Sequence, residues 1–422
     1  MTMQATLDRI DASTLNAFTT VLHDRALARA KLARGPLAGM PFAVKNLFDI
    51  QGLPTRAGSL INRDLPPATR DQPLIERLEA QGAVLVGALN MGEYAYDFTG
   101  ENIHDGNCRN PHDPLRMSGG SSSGSGAAVG ANLVPLALGS DTNGSIRVPA
   151  SFCGIWGLKP TYGRLPRNRS FPFVDSLDHL GPLTRTATDL VRAYNAMQGP
   201  DPDDAACANR PAEPVSDTGT ANLRVAIAGG YFEQNAGPEA REALAIVAKA
   251  LGATRHIELP EAARARAAAY VITTVEGANL HLTRLRTRPH DFDPAVRDRL
   301  IAGAMVPAAF YVQAQRFRRW YRTQILNIFQ NVDAILAPAT PCPAPLIGQK
   351  TITLNGHELP ARASIGILTQ PISFIGLPVA AVPVTRPGLP IGVQIITAPW
   401  REDIALRLAL DLERKAVSAA KN

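Results

Sequence analysis

Two residues within the first 145 positions stand out by type and setting as candidates for acyl transfer: Lys45 and Ser145. Ser145 lies in the polar turn DTNGSIR, directly after the apolar run VPLALGS. Such a turn can direct several backbone N–H groups at one oxyanion beside the serine hydroxyl. Those N–H groups belong to Thr142, Asn143 and Gly144. The spacing therefore indicates a serine nucleophile with an adjoining oxyanion hole.

A serine nucleophile needs a base, and histidine is the usual one. The eight histidines show no spacing that singles one out. Lys45 is the alternative, because it stands in the apolar, strand-like segment MPFAVKNLFDI of a chain whose basic residues are mostly arginine. Burial lowers the pKa of a lysine and leaves some neutral amine to accept a proton.

The segment GGSSSGSG around Ser121 could be a flexible linker by composition. It runs directly into AAVGA, which favours a helix, and then into an apolar strand, so a tight functional turn is the better interpretation. The same letters contain GxSxG, which would make Ser122 the nucleophile of an α/β-hydrolase. In an α/β-hydrolase the nucleophile stands in a sharp turn directly after a β-strand. Here the preceding segment RNPHDPLRM is polar and broken by proline.

Two further patterns have a structural and a functional interpretation. His104, Cys108 and His112 have a metal-like spacing on a helix, but Gly106 and Pro111 favour an ordinary loop. The segment QAQRFRRWYR (313–322) mixes arginine with aromatic residues, as some nucleic-acid surfaces do. Its apolar residues step by three or four, which predicts a core-facing helix with an arginine face. They are Phe310, Ala314, Phe317, Tyr321, Ile325, Ile328 and Val332.

Short apolar runs alternate with helical patterns along the chain, which predicts an α/β fold with a mainly parallel or mixed sheet. A helix is expected over 25–34 with Asp24 as its cap, and another over 73–81 before the strand AVLVGAL. Residues 199–222, rich in Pro, Asp and Ala, are the one segment typical of a linker. They form either a domain boundary or a surface excursion from a single domain.

Composition restricts the class of protein. Hydrophobic residues make up 45% and charged residues 19%, which indicates a folded globular protein. No apolar run approaches the length of a membrane span, and the N-terminal residues lack a signal-peptide core, so we expect a cytoplasmic protein without membrane contact. The net charge of +6 is spread along the chain, and nucleic-acid binding is not expected. The four cysteines form no CxxC pair and predict reduced thiols.

Three separated motifs resemble the amidase signature family of serine hydrolases. They are GPLAGMPFAVKNLFDIQGLPTRAGS, GGSSSGSGAAV and LALGSDTNGSIRVPASFCGIWGLKPTYGR, in the family's order and spacing. With NMGEYAY, SLDHLGPLTRT, DAILAPATP and IGLPVAAVPV, the resemblance covers nearly the whole chain. It implies an α/β/α fold with a large mixed sheet, and it favours one domain over 1–422 with 199–222 as an excursion.

The resemblance also implies the chemistry of the site. Ser145 would be the nucleophile, Ser121 a bridging serine after a cis peptide bond, and Lys45 the base, with no metal or organic cofactor. Asn143 stands where most members have glycine, which puts the shape of the oxyanion hole in doubt, although asparagine tolerates left-handed backbone. Substrate contacts are expected from Tyr94, His179 and Gln370. Other candidate groups for an acidic substrate are Arg56, Arg63 and His104.

Within the family, KNLFDIQGLPTRAGS and SDTNGSIRVPAS are most similar to the branch that hydrolyses carboxybiuret. This implies an enzyme of nitrogen metabolism that releases ammonia from a small urea-like acid, together with a small helical partner subunit or as a homodimer. NMGEYAY, TGEN and CRNPHD are also similar to the glutaminase component of glutamyl-tRNA amidotransferase, and a component of that kind is the alternative. A non-catalytic scaffold is disfavoured because all three catalytic positions are occupied. We expect Asp141 with Arg147, and Lys159, to be structural.

Overall fold

The computed structural model describes residues 2–417, and one sheet runs through the whole molecule. Its eleven strands stand in the order β1-β3-β2-β4-β6-β5-β12-β13-β9-β7-β8, and β10 and β11 form a separate hairpin. The strands are β1 (Phe18–Val21), β2 (Pro41–Lys45), β3 (Val84–Leu89), β4 (Leu136–Ser140), β5 (Trp156–Lys159), β6 (Leu180–Thr184), β7 (Val225–Ala228), β8 (Arg255–Ile257), β9 (Ala334–Pro338), β10 (Thr351–Leu354), β11 (His357–Pro360), β12 (Val379–Val384) and β13 (Ile391–Thr397).

Fourteen α-helices are present within residues 2–417. They are α1 (Met3–Asp11), α2 (His23–Leu32), α3 (Pro73–Ala80), α4 (Ser123–Gly130), α5 (Arg147–Cys153), α6 (Ala187–Met197), α7 (Tyr231–Gln234), α8 (Pro238–Leu251), α9 (Ala262–Thr287), α10 (Pro294–Ala304), α11 (Ala308–Ile328), α12 (Ala361–Ser364), α13 (Gln370–Ser373) and α14 (Glu402–Arg414). Short 3₁₀ turns lie at Ile61–Asp64, Glu93–Ala95 and Pro289–Asp291. Within the same residues, no helix is both long and apolar enough to cross a bilayer.

Helices cover both faces of the sheet, as the α/β/α prediction requires. Alternate side chains of a strand point to opposite faces. Thus Leu136 and Leu138 of β4 enter the core formed with α3, α9, α10 and α11, whereas Ala137 packs with α1, α2, α4 and α5. Helices α8 and α14 cover the face of Leu136 and Leu138 farther along the sheet, because Leu136 pairs with Thr184 and Thr184 with Trp156, which packs in their cluster. The sheet is mixed: β2 runs parallel to β3 and β4, and β4 runs antiparallel to β6.

Residues 199–222 contain no helix or strand and connect α6 to β7. Strands on both sides of this segment belong to the same sheet: β5 and β6 precede it, and β12 pairs with β5. The segment therefore connects parts of the chain that share one sheet.

Several predicted elements differ from the observed ones in detail. Helix α2 begins at His23 rather than Arg25, so Asp24 lies in its first turn and the predicted cap at Asp24 is wrong. Helix α11 confirms the helix predicted from the stepping of its apolar residues, with Tyr321 and Ile325 buried against the core. Phe310 was expected on that face but is 55% exposed, and Ala308 and Ala309 in the same first turn of α11 are exposed as well.

Candidate active site

Lys45 is the last residue of β2 and is completely buried. Its Nζ lies 2.6 Å from Ser121 Oγ and 2.8 Å from Ser140 Oγ. Ser140 is the last residue of β4, the parallel neighbour of β2. Because the carboxyl ends of parallel strands meet at one edge of a sheet, these two strands deliver the amine and a hydroxyl to the same point.

Ser121 follows a cis peptide bond from Gly120 and stands just before α4. Its carbonyl accepts a hydrogen bond of 3.2 Å from Gly92 N. Helix α4 is made of small residues because neighbouring backbone approaches it closely: a Cβ at Gly124 would meet Ala17 O at 2.3 Å. The sequence GGSSSGSG is therefore a tightly packed turn and helix start, as expected, and not a linker.

The turn that contains Ser145 connects β4 to α5 and is braced by two buried charges. Arg147 donates from Nε and Nη2 to the two carboxylate oxygens of Asp141, each at 2.9 Å. Both side chains are wholly buried, and Arg147 lowers the pKa of Asp141 well below its usual range. The expected structural role of this pair is confirmed. Thr369 fixes the turn from the other side by donating to Asn143 O at 2.6 Å.

The backbone N–H groups at positions 142–145 have no acceptor within residues 2–417. A run of free donors next to a serine is the arrangement that an oxyanion hole needs. Gly144 adopts φ +141°, and a Cβ there would meet Thr369 Oγ1 at 2.2 Å, so only glycine fits. Asn143 is not among the residues with positive φ, so its tolerance of left-handed backbone is not needed here.

Burial lowers the pKa of Lys45 to about 7, and the negative charges of Asp178, Asp141 and Asp97 act in the opposite direction without overcoming it. A substantial fraction of the amine is therefore neutral near neutral pH and can accept a proton. This confirms the depressed pKa that the apolar sequence around Lys45 predicted. The contact with Ser121 gives that neutral amine a hydroxyl from which to take the proton.

Ser145 lies on the wall of a cavity of about 180 Å³, which we call the front cavity. Its hydroxyl takes part in no hydrogen bond within the described residues. Residues from α9, α10, α12 and the turn of β4 surround it. The lining residues are Ala95, Tyr96, Asp97, Phe98, Thr142, Asn143, Ser145, Phe173, Arg266, Tyr270, Thr273, Arg299, Pro360, Arg362, Ala363 and Gln370.

Three arginines line the front cavity, and they are unequally neutralised. Arg362 forms ion pairs with Asp97 at 2.5 Å and Glu101 at 2.8 Å. Arg266 and Arg299 have no carboxylate partner among the side chains of residues 2–417. Arg266 instead donates to Gln370 Oε1 at 2.9 Å, and Arg299 stacks over the Tyr96 ring at 3.8 Å. Among the described residues, the cavity therefore has two guanidinium groups that form no ion pair, with Asp97 the acidic side chain in its lining.

Of the three residues expected to contact the substrate, one lines the front cavity and two do not. Gln370 lines the front cavity. Tyr94 does not line it: its hydroxyl donates to Asn62 at 3.1 Å, and its ring packs 4.1 Å from that of His281. His179 does not line it either, because its ring is buried behind the turn of β4. We therefore drop Tyr94 and His179 as substrate contacts and keep Gln370.

The ring of His179 is held by backbone carbonyls and by Lys159. Its Nδ1 lies 2.6 Å from Leu177 O and 3.0 Å from Asp141 O, which places the ring proton on that nitrogen. Lys159 Nζ lies 3.3 Å from His179 Nε2 and also donates to Pro160 O and Leu377 O. Burial lowers the pKa of Lys159 to about 7. The structural role expected of Lys159 agrees with these contacts.

The other candidate cations bind acidic residues elsewhere. Arg56 and Arg63 both contact Asp105 Oδ1, and His104 Nε2 lies 3.0 Å from Glu93 Oε1. None of these three lines the front cavity. No helix forms over 104–112, as the loop interpretation predicted. Within residues 2–417, no three His, Cys, Asp or Glu side chains stand close enough together to hold a metal ion.

The α/β-hydrolase interpretation of Ser122 does not fit. Ser122 Oγ donates to Ser140 O at 3.1 Å and is wholly buried, and the segment before it is not a strand. Sequence reasoning also missed Arg266, Arg299 and Arg362. They lie on three different helices, more than 100 residues after the motifs, and only the fold brings them beside Ser145. No spacing in the sequence marks them out from the other arginines.

The fold is that of the amidase family, and the chain belongs to it: the family model for amidase matches residues 2–406. The protein is accordingly an enzyme that hydrolyses amide C–N bonds, and family members act on small amide substrates. It is 53% identical to AtzE, a component of the 1-carboxybiuret hydrolase of Pseudomonas sp. (strain ADP), over 96% of this chain and 92% of that protein. The GatA-type component of the glutamyl-tRNA(Gln) amidotransferase of Geobacter sp. (strain M21) is 36% identical over 98% and 93% of the two chains.

A solved structure also superimposes closely on this one. It is described as an unexpected vestigial protein complex that reveals the evolutionary origins of an s-triazine catabolic enzyme. The two share 51% identity with a TM-score of 0.98, over 100% of this chain and 96% of the other. A further structure, described as an amidase, shares 32% identity with a TM-score of 0.89, over 98% and 95% of the two chains.

Proposed function

We propose that Ser145 is the nucleophile, that Ser121 bridges and that Lys45 is the base. The observation on which this rests is the 2.6 Å contact between the Lys45 amine, whose pKa burial lowers to about 7, and Ser121 Oγ. Ser145 adds a free hydroxyl on the front cavity wall, beside unpaired backbone donors at Thr142, Asn143 and Gly144.

In the acylation step, Ser145 Oγ attacks the substrate carbonyl carbon and its proton passes through Ser121 to the neutral Lys45 amine. The carbonyl oxygen becomes an oxyanion that the N–H groups of residues 142–144 stabilise. The same relay, run in reverse, returns the proton to the departing nitrogen as the C–N bond breaks. Ammonia leaves, and the acyl group remains as an ester on Ser145.

We propose that the substrate is a small amide that also carries a carboxylate, with carboxybiuret as the leading candidate. Arg266 and Arg299 line the cavity without acidic partners, and guanidinium groups bind carboxylates well. A cavity of about 180 Å³ suits a small molecule rather than a peptide. The relative at 53% identity is named for hydrolysis of 1-carboxybiuret, and the glutamyl-tRNA amidotransferase relatives are less similar.

An ammonia-release screen tests this proposal. The substrates are carboxybiuret, biuret, malonamate, glutamine and an aryl amide. We expect kcat/KM to be highest for carboxybiuret. A higher kcat/KM for glutamine would favour the glutaminase alternative, and a higher value for the neutral aryl amide would refute the acidic-substrate proposal but not the amidase chemistry.

Two arginine variants test how the acid is bound. Arg266→Gln and Arg299→Gln should each raise KM for the acidic substrate by about ten- to a hundredfold, since a charge-assisted hydrogen bond is worth roughly 1.5–3 kcal/mol. The neutral aryl amide should show little change. Arg63→Gln is the matched control, because Arg63 contacts Asp105 outside the front cavity. Equal KM changes for the acidic and neutral substrates would contradict the assignment.

We also propose that the chain works with a small helical partner subunit or as a homodimer, in the cytoplasm. The relative is itself named as one subunit of its enzyme, and the superimposed structure is described as a protein complex. Exposed apolar side chains at the end of α10 and the start of α11 support a contact surface there. They are Ile301, Met305, Phe310 and Val312. The cysteines are unpaired, which suits a reducing compartment.

A further inference from the structure

Thr142 contributes one of the N–H groups proposed for the oxyanion hole, and its side chain is held from outside the turn. Its hydroxyl donates to Asp178 Oδ1 at 2.6 Å. Asp178 stands two residues before β6 begins at Leu180. The residue between them, His179, pairs through its backbone with Asp141 in both directions, at 2.8 and 3.1 Å. Asp178 is therefore fixed alongside the oxyanion turn.

The second carboxylate oxygen of Asp178 holds part of the front cavity. Asp178 Oδ2 accepts hydrogen bonds from Phe173 N at 2.8 Å and from Val174 N at 3.0 Å. The Phe173 ring lines the front cavity and packs 4.8 Å from the ring of Tyr96, which lines it as well. One carboxylate therefore binds both the oxyanion turn and the segment that supplies an aromatic wall of the cavity.

Asp178 also lies close to the proposed base. It shares the wall of a cavity of about 150 Å³ with Ser140, whose hydroxyl contacts the Lys45 amine at 2.8 Å. Burial lowers the pKa of Lys45, and of the carboxylates that oppose this effect Asp178 acts most strongly. The negative charge of Asp178 thus favours the ammonium form of Lys45.

The carboxylate of Asp178 differs from the two others that act on Lys45, which are Asp141 and Asp97. Both of those form ion pairs with arginines. Asp178 forms no ion pair with any residue that the structure describes. Arg167, the cation beside it, donates to its backbone carbonyl at 3.2 Å and not to its carboxylate. Three hydrogen bonds from neutral groups stabilise the Asp178 carboxylate without cancelling its charge.

The proposed acylation step places two demands on the protein at the same moment. Lys45 is neutral before the attack and is an ammonium while the tetrahedral intermediate exists, and the oxyanion exists for the same period. A negative side chain near the amine stabilises the ammonium. A fixed turn keeps the N–H donors where the oxyanion forms.

We infer that Asp178 is a positioning residue of this reaction, which holds the oxyanion turn through Thr142 and stabilises the ammonium form of Lys45 through its unpaired carboxylate. Asp178 touches neither the substrate nor the reacting atoms, and it acts through these two residues. The inference rests on the proposed function, because it takes Lys45 as the base and the N–H groups of residues 142–144 as the oxyanion donors.

Two substitutions separate the charge of Asp178 from its hydrogen bond. Asp178→Asn removes the charge and keeps the shape, because the amide oxygen can accept from the Phe173 and Val174 N–H groups while the amide nitrogen donates to Thr142 Oγ1. Thr142→Val removes the hydrogen bond and keeps the charge. Thr142→Ser puts the hydroxyl back.

The two variants should differ in their pH profiles. In Asp178→Asn, the rise of kcat/KM with pH for the neutral aryl amide should move to lower pH by about half a unit or more, since the ammonium loses a nearby negative charge. In Thr142→Val, the rise should stay at about pH 7. There kcat should fall about tenfold or more, with KM for carboxybiuret within about threefold, because the oxyanion donors shift while the arginines stay in place. Thr142→Ser should recover most of that loss.

Asp175→Asn is the matched control. Asp175 lines the same cavity as Asp178, but its side chain is 88% exposed. The substitution removes one carboxylate charge at the surface, where solvent screens it, so the pH profile and kcat should match those of the parent enzyme. Thermal unfolding shows which variants are folded. If Asp178→Asn fails to fold, Asp178→Ser gives the same comparison with a smaller neutral side chain.

The outcomes are separable. An unmoved pH profile in the folded neutral variant at position 178 would overturn the inference, and so would parental kcat in folded Thr142→Val. An equal movement in Asp175→Asn would also overturn it, because it would show a general effect of surface charge. A parent enzyme without the rise near pH 7, or a rise that persists in Lys45→Ala, would instead contradict the proposed function.

Discussion

Ser145 has a hydroxyl that forms no hydrogen bond within the described residues, so its removal leaves no protein partner unsatisfied. Ser145→Ala should therefore fold with nearly unchanged stability and lose about 10³- to 10⁶-fold in kcat, since water cannot replace a positioned nucleophile at a comparable rate. Ammonia release and thermal unfolding measure the two effects. Retained turnover in the folded variant would show that another group attacks the substrate.

The neighbouring Ser122 provides the control for that substitution. Its hydroxyl donates to Ser140 O and points away from the front cavity. Ser122 Oγ also accepts a hydrogen bond from Ser140 N at 3.2 Å, so Ser122→Ala removes two buried hydrogen bonds and should cost about 1–3 kcal/mol of stability. It should keep kcat within about tenfold of the parent. A larger loss of kcat than in Ser145→Ala would revive the GxSxG interpretation.

Lys45 should govern the pH dependence of the enzyme. Its active form is the neutral amine, and burial lowers its pKa to about 7, so activity should rise with pH through about 7 and level off above it. Activity rises rather than falls with pH because lysine becomes neutral when it loses its proton. The rise is measured as the pH profile of kcat/KM for a neutral amide, because such a substrate does not titrate in this range. A limb that persists in a residually active Lys45→Ala variant would belong to another group.

The residue types pointed to Ser145 in its polar turn and to Lys45 in its apolar strand as catalytic candidates, whereas the role of Ser121 and the choice of lysine over histidine came from the resemblance to the amidase signature family. The arginines that we propose to bind the acidic substrate could not be predicted from the sequence. Gln370 was expected, yet its partner Arg266 was not, since nothing local distinguishes Arg266 from other helix arginines. Tyr94 stands near a motif in sequence, but its side chain turns into an aromatic cluster with His281. Side-chain direction after a motif depends on packing that the motif does not encode.

At the scale of elements, the turn between β4 and α5 depends on a residue without a side chain. Gly144→Ala would place a Cβ 2.2 Å from Thr369 Oγ1 at φ +141°. We expect a loss of about 1–3 kcal/mol in the free energy of unfolding and at least a tenfold loss of kcat, because the oxyanion donors shift with the turn. Chemical denaturation and steady-state kinetics provide the two measurements.

A second substitution separates contact from backbone strain at this turn. Thr369→Ala removes the hydroxyl that a Cβ at position 144 would meet most closely, and the double variant should recover part of the stability lost in Gly144→Ala. The strain of the positive φ should remain. The Cβ of residue 369, 2.8 Å from the added Cβ, remains in the double variant, so no recovery at all would mean that this contact and the lost hydrogen bond to Asn143 O outweigh the relief.

The order of strands and helices along the chain was largely predictable, because short apolar runs bounded by Gly and Pro have a distinct period. The ends of the helices were less predictable. Helix α2 begins at His23, one residue before Asp24, and Leu22 at its N-cap position forms no side-chain cap. Pairing was not predictable either. That β12 joins β5 across more than 200 residues follows from the packing of the two helical layers, not from either strand.

At the scale of the whole molecule, residues 199–222 should tolerate a cut without separation of two halves. A specific protease site inserted after Ala212, which lies exposed within this segment outside any helix or strand, allows a single cut there. Strands from both sides pair within one sheet, so the fragments should remain together. Size-exclusion chromatography under native conditions should show one species, and a denaturing gel should show two fragments. Fragments that elute apart would support two domains.

Lys45 and Lys159 are equally buried, yet their hydrogen-bond partners differ. The partners of Lys45 can both donate and accept, whereas those of Lys159 can only accept. A hydroxyl, such as that of Ser121 or Ser140, can turn from accepting a hydrogen bond to donating one, so the Lys45 amine can give up a proton and keep both contacts. The carbonyls of Pro160 and Leu377 can only accept, and so can His179 Nε2 while its ring proton is on Nδ1. Three fixed acceptors match the three N–H bonds of an ammonium. The reversible partners suit Lys45 to the proton transfer proposed for it, whereas burial lowers the pKa of Lys159 as far, but its fixed acceptors offer no hydroxyl through which a proton could pass.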